Sequence, residues 1–354
     1  MNEFMNYYLE EKESLEKDIS SFNENLKKEN DSYLKENLIY FANLNSSGKR
    51  IRGILVNLGY ELKKEKSTYS HPLAVAYEVF QTAILVHDDI IDKDDKRRSL
   101  PTIHYLNRKK YENISSTEET NHFSNSIALC MGDYGLYLSN KLISDAYKED
   151  NNLGNVLSYF NDTVLRTIKG ELLDVIIPFK SKNIGVEKKT LEEKILDIYR
   201  LKTSYYTFIG PLSVGLILAG ASKDELNVIE EFGTKLGIAY QIQDDILGIY
   251  SKDMGKVQAS DIKEYKQTLL YAYTIQTKYK EELDKVYGKN ELDDYTIQEV
   301  QRIMRESEAL EKATNLMNSL YDESLVIIND IDWIKEKDKN ILKGFVDYLR
   351  NRNQ

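Results

Sequence analysis

Two acidic clusters stand where apolar segments end. The first, His87-Asp88-Asp89-Ile90-Ile91-Asp92, follows the apolar turns Val79 to Val86. On a helix, residues four apart share a face, so Asp88 and Asp92 project together. Carboxylates one turn apart suit hard divalent cations, and Mg2+ prefers carboxylate, water and phosphate oxygens. A solvated charge run is the competing reading, helped by Lys93, Asp94, Asp95 and Lys96. It leaves unexplained why a buried face runs straight into three carboxylates. The second cluster, Tyr240 to Gly248, carries Asp244 and Asp245 and again ends an apolar helix. Half-buried carboxylates without partners are costly, so two such helix ends suggest one shared, metal-filled mouth. Cations are at hand: Lys49 and Arg52 in Gly48-Lys49-Arg50-Ile51-Arg52, then Arg97-Arg98, Lys202 beside Thr203, and Lys256 after Gly255. Carboxylates, a metal, guanidinium and ammonium groups together make a clamp for a diphosphate.

Helices must position these groups. Among 354 residues only 4 are Pro and 17 are Gly, so helix breakers are scarce. Apolar residues recur at helical spacing through Met5, Tyr8, Leu9 and Leu15, and again at Leu34, Leu38 and Phe41. His71-Pro72-Leu73 marks a helix start, since proline fits the first turn. Loops are expected at about 111–123 and 179–190, the second following Pro178. Further helical blocks are expected at 126–146, 153–177, 191–220 (with Lys202-Thr203 opening a helix) and 225–250. No repeat or linker interrupts them, so one large all-α domain of roughly a dozen helices over 1–354 is the expectation.

Composition excludes several classes. A net charge of −10 lacks the basic footprint of a nucleic-acid binder. The single cysteine, Cys130, excludes an internal disulfide framework and fits a reducing, cytoplasmic setting. No basic start followed by an apolar run points to secretion. The longest apolar stretch, Thr207 to Ala221, contains Pro211 and is short for a membrane span, so no stable membrane insertion is expected. No Ser/His/Asp or Cys/His arrangement for nucleophilic catalysis is evident. Cys130 and the 4 histidines read as structural.

Taken in order, the motifs resemble those of the trans-type polyprenyl diphosphate synthases. They are Gly48 to Arg52, Asp88 to Asp92, Arg97-Arg98 before Pro101-Thr102-Ile103-His104, and Gly132-Asp133-Tyr134. Lys202-Thr203, Asp244-Asp245, and Gly255-Lys256 leading to Ser260-Asp261 complete them. The resemblance implies the isoprenoid synthase fold, a helical bundle around a central cavity, acting as a cytoplasmic homodimer. It implies transfer of an allylic group to isopentenyl diphosphate with about three Mg2+ ions. Asp88, Asp92 and Asp244 would be direct ligands, with Asp89 and Asp245 supporting them. Arg97, Lys202 and Lys256 would hold the allylic diphosphate; Lys49, Arg52 and Arg98 would hold the isopentenyl diphosphate. Thr203 and Gln241 would turn oxygens towards developing positive charge. Ala83 and Phe80, five and eight residues before Asp88, would set product length, with Phe80 as a floor suited to geranylgeranyl diphosphate or slightly longer.

The departures from the family pattern are specific. A third Asp of the second motif is replaced by Gly248, a common His by Gln81, whose amide could donate to a phosphate, and a common Pro by Gly53. Glu171 stands where Gln is usual, and Val257-Gln258-Ala259 replaces the usual loop residues. A class I terpene cyclase is the alternative within the same fold, but after Asn161-Asp162 its motif would meet Leu165 and Lys169. A non-catalytic partner subunit would be expected to have lost an aspartate pair, and this chain keeps both.

Overall fold

A computed structural model describes residues 3–185, 188–250, 260–289 and 293–352. Among them sixteen segments are α-helical, three of seven residues or fewer, and the only strands form one two-stranded ribbon. The class is all-α, as expected. Contacts divide the chain into two compact units: an N-terminal one built from 5–158 with 214–221, and a C-terminal one built mainly from 159–213 and 222–354.

In the N-terminal unit, helix α4 (His71–Ile91) is central. Every residue from Leu73 to Ala83 is buried, the position expected of a helix apolar on all faces. Its few polar residues find partners inside. Thr82 donates to Asn45 Oδ1 at 2.8 Å on α2 (Ser32–Asn45). Glu78 accepts from the backbone N–H of Gly53 at 2.9 Å on α3 (Ile51–Glu61). That N–H belongs to the first turn of α3, where Arg50 gives no side-chain cap, so Glu78 satisfies a donor that the helix start would otherwise leave unpaired. A proline at position 53 would have no N–H for this bond.

Helix α6 (Thr117–Ala146) approaches α4 closely through small residues, with Ser124, Ala128, Gly132, Gly135 and Ser139 on its buried face. A Cβ on Gly132 would lie 2.2 Å from His87 Nε2, and one on Gly135 would lie 2.8 Å from the Cβ of Ala83. The start of α6 corrects the loop expected at 111–123. Ser116 caps the helix by accepting from the Glu119 N–H at 3.2 Å, a Ser-x-x-Glu start. Phe123 then packs edge-on against Tyr111, with centroids 5.2 Å apart.

Two further expectations change in the C-terminal unit. Helix α7 (Leu153–Asn183) continues through Pro178, so 179–183 is helix rather than loop, although a proline inside a helix costs roughly 3 kcal/mol. After α8 (Lys188–Ile198) the chain does not open a new α-helix at Lys202-Thr203. Tyr199–Ile209 is instead a π-helical stretch, with Thr203 to Ile209 all buried. Such turns are rare and frequent at functional sites. It runs into α9 (Gly210–Leu218), and α10 (Lys223–Tyr250) follows, carrying the second acidic cluster. A Cβ on Gly237 of α10 would lie 2.3 Å from Ser204 Oγ. Helices α11 (Ser260–Lys263) to α16 (Glu336–Arg350) complete the unit.

Candidate active site

In the N-terminal unit the site is organised by a two-residue turn. Strand β1 (Lys96–Arg97) pairs antiparallel with β2 (Leu100–Pro101), joined by Arg98 at φ 52° and Ser99 at φ 66°. A tight hairpin favours positive φ at both turn positions, which normally selects Asn-Gly. Arg-Ser is a strained choice. The turn gives the two arginines separate tasks. Arg97 donates to Asp88 Oδ2 at 2.9 Å, Asp89 Oδ1 at 2.6 Å and Asp94 Oδ2 at 3.2 Å. Arg98 donates to the carbonyl of Ser47. A Cβ on Gly48 would lie 2.5 Å from its Nη1, so only glycine leaves that approach open. Since left-handed backbone costs a non-glycine residue roughly 1 kcal/mol, Ser99→Gly is expected to raise the thermal unfolding midpoint by about 1–2 °C. A lower midpoint by calorimetry would show that the Ser99 side chain compensates its own strain.

Helix α4 ends at the first acidic cluster. Asp92 follows its last residue and donates its N–H to the Asp88 carbonyl at 2.8 Å, so the two aspartates do lie one turn apart. Both are half-buried, whereas Asp89 is 1% exposed. Burial pushes the Asp89 carboxyl up to about 7, against the lowering effect of Arg97. Although burial opposes its charge, Asp89 and Asp88 hold Arg97 above the usual guanidinium pKa. Asp89 Oδ2 is buried with no hydrogen-bond partner among the described residues, a lone pair that a cation or proton would answer.

The basic loop before α3 divides likewise. Arg50 is buried, with Nε and Nη2 on Glu16 at 2.9 and 3.0 Å and Nη1 on Glu78 at 3.3 Å. It is structural, while Lys49 is exposed and Arg52 half-buried. With its amide oxygen towards the guanidiniums, Gln81 accepts from Arg52 Nη1 at 2.9 Å and Arg98 Nη2 at 2.5 Å, and donates to Glu78 at 3.3 Å. This changes its expected task, because the oxygen that orders two cations replaces an N–H aimed at phosphate. Phe80 is fully buried, edge-on to Tyr77 at 5.9 Å. Ala83 lies beside Gly135 and Phe41.

In the C-terminal unit, Lys202 contacts Glu171 at 2.8 Å and Asp174 at 2.7 Å. Backbone approach here is close, since a Cβ on Gly170 would lie 2.5 Å from the Lys202 nitrogen. Thr203 donates to Gln241 Oε1 at 2.6 Å, and Gln241 Nε2 donates to Asp245 Oδ1 at 2.9 Å. Tyr199 donates to the other Asp245 oxygen and accepts the Leu269 N–H at 3.0 Å. Asp245 is buried, and burial raises its pKa well above the carboxylate range. It is therefore an internal support, while Asp244 keeps 40% of its side chain exposed. Gly248 has the Asp261 carboxylate over it, with Oδ2 3.1 Å from where a Cβ would stand. Lys256 lies outside the described residues. Sequence reasoning gave no roles to Asp94, Asp174, Tyr199 or Arg352. Only Asp174 carried a local signal, three residues after Glu171 on one helix face.

Known proteins of one family resemble this chain in sequence and in fold. Residues 32–304 match the family model described as polyprenyl synthetase. A short chain isoprenyl diphosphate synthase of Methanocaldococcus jannaschii is 28% identical over 281 residues, covering 77% of this chain and 78% of its own. The geranylgeranyl diphosphate synthase of Sulfolobus acidocaldarius is 27% identical over 319 residues, covering 87% and 88%. A geranylgeranyl pyrophosphate synthase from Corynebacterium glutamicum, solved with isoprenyl diphosphate and magnesium, superposes with a TM-score of 0.85 at 23% identity, covering 96% and 98%.

Proposed function

This chain belongs to the polyprenyl synthetase family, and on that premise we propose that it is a Mg2+-dependent trans-prenyltransferase. It joins isopentenyl diphosphate to an allylic diphosphate and releases diphosphate, with a product of about geranylgeranyl length. The observation that carries the reading is the 96–101 hairpin, which seats one arginine among three carboxylates and the next against the basic loop. The match over 32–304 takes in parts of both compact units, which supports reading the chain as one prenyltransferase domain.

The donor set fits Mg2+, since every candidate ligand is a hard carboxylate oxygen. Asp88, Asp92 and Asp244 would hold the ions, with Asp89 and Asp245 as supports and about three ions expected from the family pattern. Bound Mg2+ supplies Lewis-acid stabilisation of charge on the departing diphosphate. The protein's own part is positioning and electrostatics. Arg97, Lys202 and Lys256 grip the allylic diphosphate, and Lys49, Arg52 and Arg98 grip that of isopentenyl diphosphate. Gln81 acts through the last two by holding their guanidiniums together. Thr203 has its proton committed to Gln241, so its remaining lone pairs face the allylic carbon as positive charge develops. One carbon–oxygen bond breaks, one carbon–carbon bond forms, and the proton lost from the isopentenyl carbon goes to the released diphosphate. No protein nucleophile is needed.

A homodimer and a cytoplasmic setting belong to this reading. Exposed Phe123, Leu129, Tyr134 and Tyr137 on α6 support the first. For the second, no helix among the described residues is long and apolar enough to cross a membrane. The test is incubation of the purified protein with Mg2+, isopentenyl diphosphate and allylic primers of increasing length. Elongation to about twenty carbons, abolished by a chelator, is expected; absence of any elongated product overturns the reading.

A further inference from the structure

Resting on that reading, we propose that Arg352 is a positioning residue of the second aspartate pair. It fixes one oxygen of Asp244 so that the other is presented to a metal ion. The chain end is anchored to α10 by contacts that do not involve Asp244. Gln243 Nε2 donates to the carbonyls of Arg350 at 3.0 Å and Arg352 at 3.1 Å. Tyr321 in α15 (Ala309–Asp330) fixes Gln243 by donating to its Oε1 at 2.6 Å. Arg350 itself is tied to Asp322 at 2.7 Å and Asn318 at 3.1 Å.

From this anchor the Arg352 side chain folds over α10. Its guanidinium lies 3.7 Å from the centroid of the Tyr240 ring. Nη2 donates both to the Tyr240 carbonyl at 3.1 Å and to Asp244 Oδ1 at 3.0 Å. Tyr240 is one turn before Asp244 on the same helix, so ring and carbonyl hold the guanidinium in line with the carboxylate whatever the carboxylate binds. Only 10% of the Arg352 side chain is exposed, against 40% for Asp244. The arginine is thus built into the protein while the carboxylate still faces out. Engaging Oδ1 alone removes the carboxylate's rotational freedom before any ion arrives and leaves Oδ2 to coordinate. The arrangement also bears on Gly248. With no third aspartate and with Asp245 buried, Asp244 is the exposed carboxylate of its pair, and its orientation carries more of the binding.

Hydrogen-bond partners of metal-binding residues typically change metal affinity 10–100-fold when removed. The experiment titrates Mg2+ at fixed inorganic diphosphate into the full-length protein, reading the thermal unfolding midpoint, and separately titrates Mg2+ in the elongation assay. Arg352→Met should raise the half-saturating Mg2+ concentration about ten-fold in both. Arg352→Lys should fall between, because a point charge can reach Asp244 but lacks the planar fork for ring and carbonyl together. Tyr321→Phe, which loosens the anchor without touching Arg352, should give a smaller shift in the same direction and serves if Arg352→Met fails to fold. A lower melting point with unchanged half-saturation would overturn the proposal in favour of a purely structural chain end. Tighter Mg2+ binding in Arg352→Met would overturn it by showing that the arginine competes with the ion. A wild-type protein that neither elongates a primer nor responds to Mg2+ with diphosphate removes the underlying function, and the proposal with it.

Discussion

Asp88→Ala is expected to lower kcat about a thousand-fold at saturating Mg2+ while leaving the helical fold intact. Loss of a ligand to an ion that stabilises the leaving diphosphate removes several kcal/mol from the transition state, and about 4 kcal/mol corresponds to roughly three powers of ten. Stability should suffer little. Arg97 keeps Asp89 at 2.6 Å and Asp94 at 3.2 Å when Asp88 is removed, so no buried cation is stranded. Asp92→Ala and Asp244→Ala should behave alike, since each removes a half-buried or exposed carboxylate rather than a core contact. Arg97→Ala should differ. It leaves the buried Asp89 without its counter-ion, and removing one partner of a buried pair costs roughly 3–5 kcal/mol, so both turnover and melting point should fall. Steady-state rates alongside circular dichroism melts separate the two patterns. Turnover within ten-fold of wild type in Asp88→Ala would sink the metal assignment.

Phe80→Ala is expected to change what the protein makes. Three residues of helix separate Phe80 from Ala83, a rise of roughly 5 Å, which is about one extended isoprene unit. If the growing tail follows α4 away from Asp88, the small side chain of Ala83 lets it pass and the Phe80 ring stops it. Removing the ring should then shift the main product at least one five-carbon unit beyond the wild-type length. The same change should cost roughly 3–5 kcal/mol of stability, because Phe80 is fully buried and edge-on to Tyr77. Phe80→Leu retains most of the volume, so it should fold more securely and give a smaller shift. Chromatography of the dephosphorylated products decides between the readings. Products of unchanged length from a folded Phe80→Ala protein would place the end of the tunnel elsewhere and leave Phe80 as ordinary core.

The parts of this protein that sequence made legible are those with local causes. The burial of α4 follows from an apolar run with Pro72 in its first turn, and the turn shared by Asp88 and Asp92 follows from their spacing. Thr203 and Gln241 meet in a hydrogen bond across two segments, which takes up the Gln241 oxygen expected to face positive charge. What escaped had either no local signature or a misleading one. Pro178 reads as a breaker, yet α7 runs past it. The π-helical stretch at 199–209 has no residue pattern that separates it from an α-helix, so Lys202-Thr203 read as a helix start. Gln81 was expected to offer an N–H, but the two guanidiniums against it call for its oxygen. The Arg352–Asp244 contact joins residues 108 apart, and no spacing rule reaches that far.

The all-round burial of α4 also bears on how the site comes apart. Local opening in a folded protein ranges from nearly free at termini to the full unfolding free energy in core helices. Asp88 and Asp89 continue a helix in which every residue from Leu73 to Ala83 is buried, so the element that carries them opens only at high free-energy cost. The cations facing the acidic groups are mounted differently. Arg97 and Arg98 sit on a two-residue-per-strand ribbon with a strained turn. Fluctuation therefore begins in the ribbon, and the end of α4 is the frame to which its arginines return.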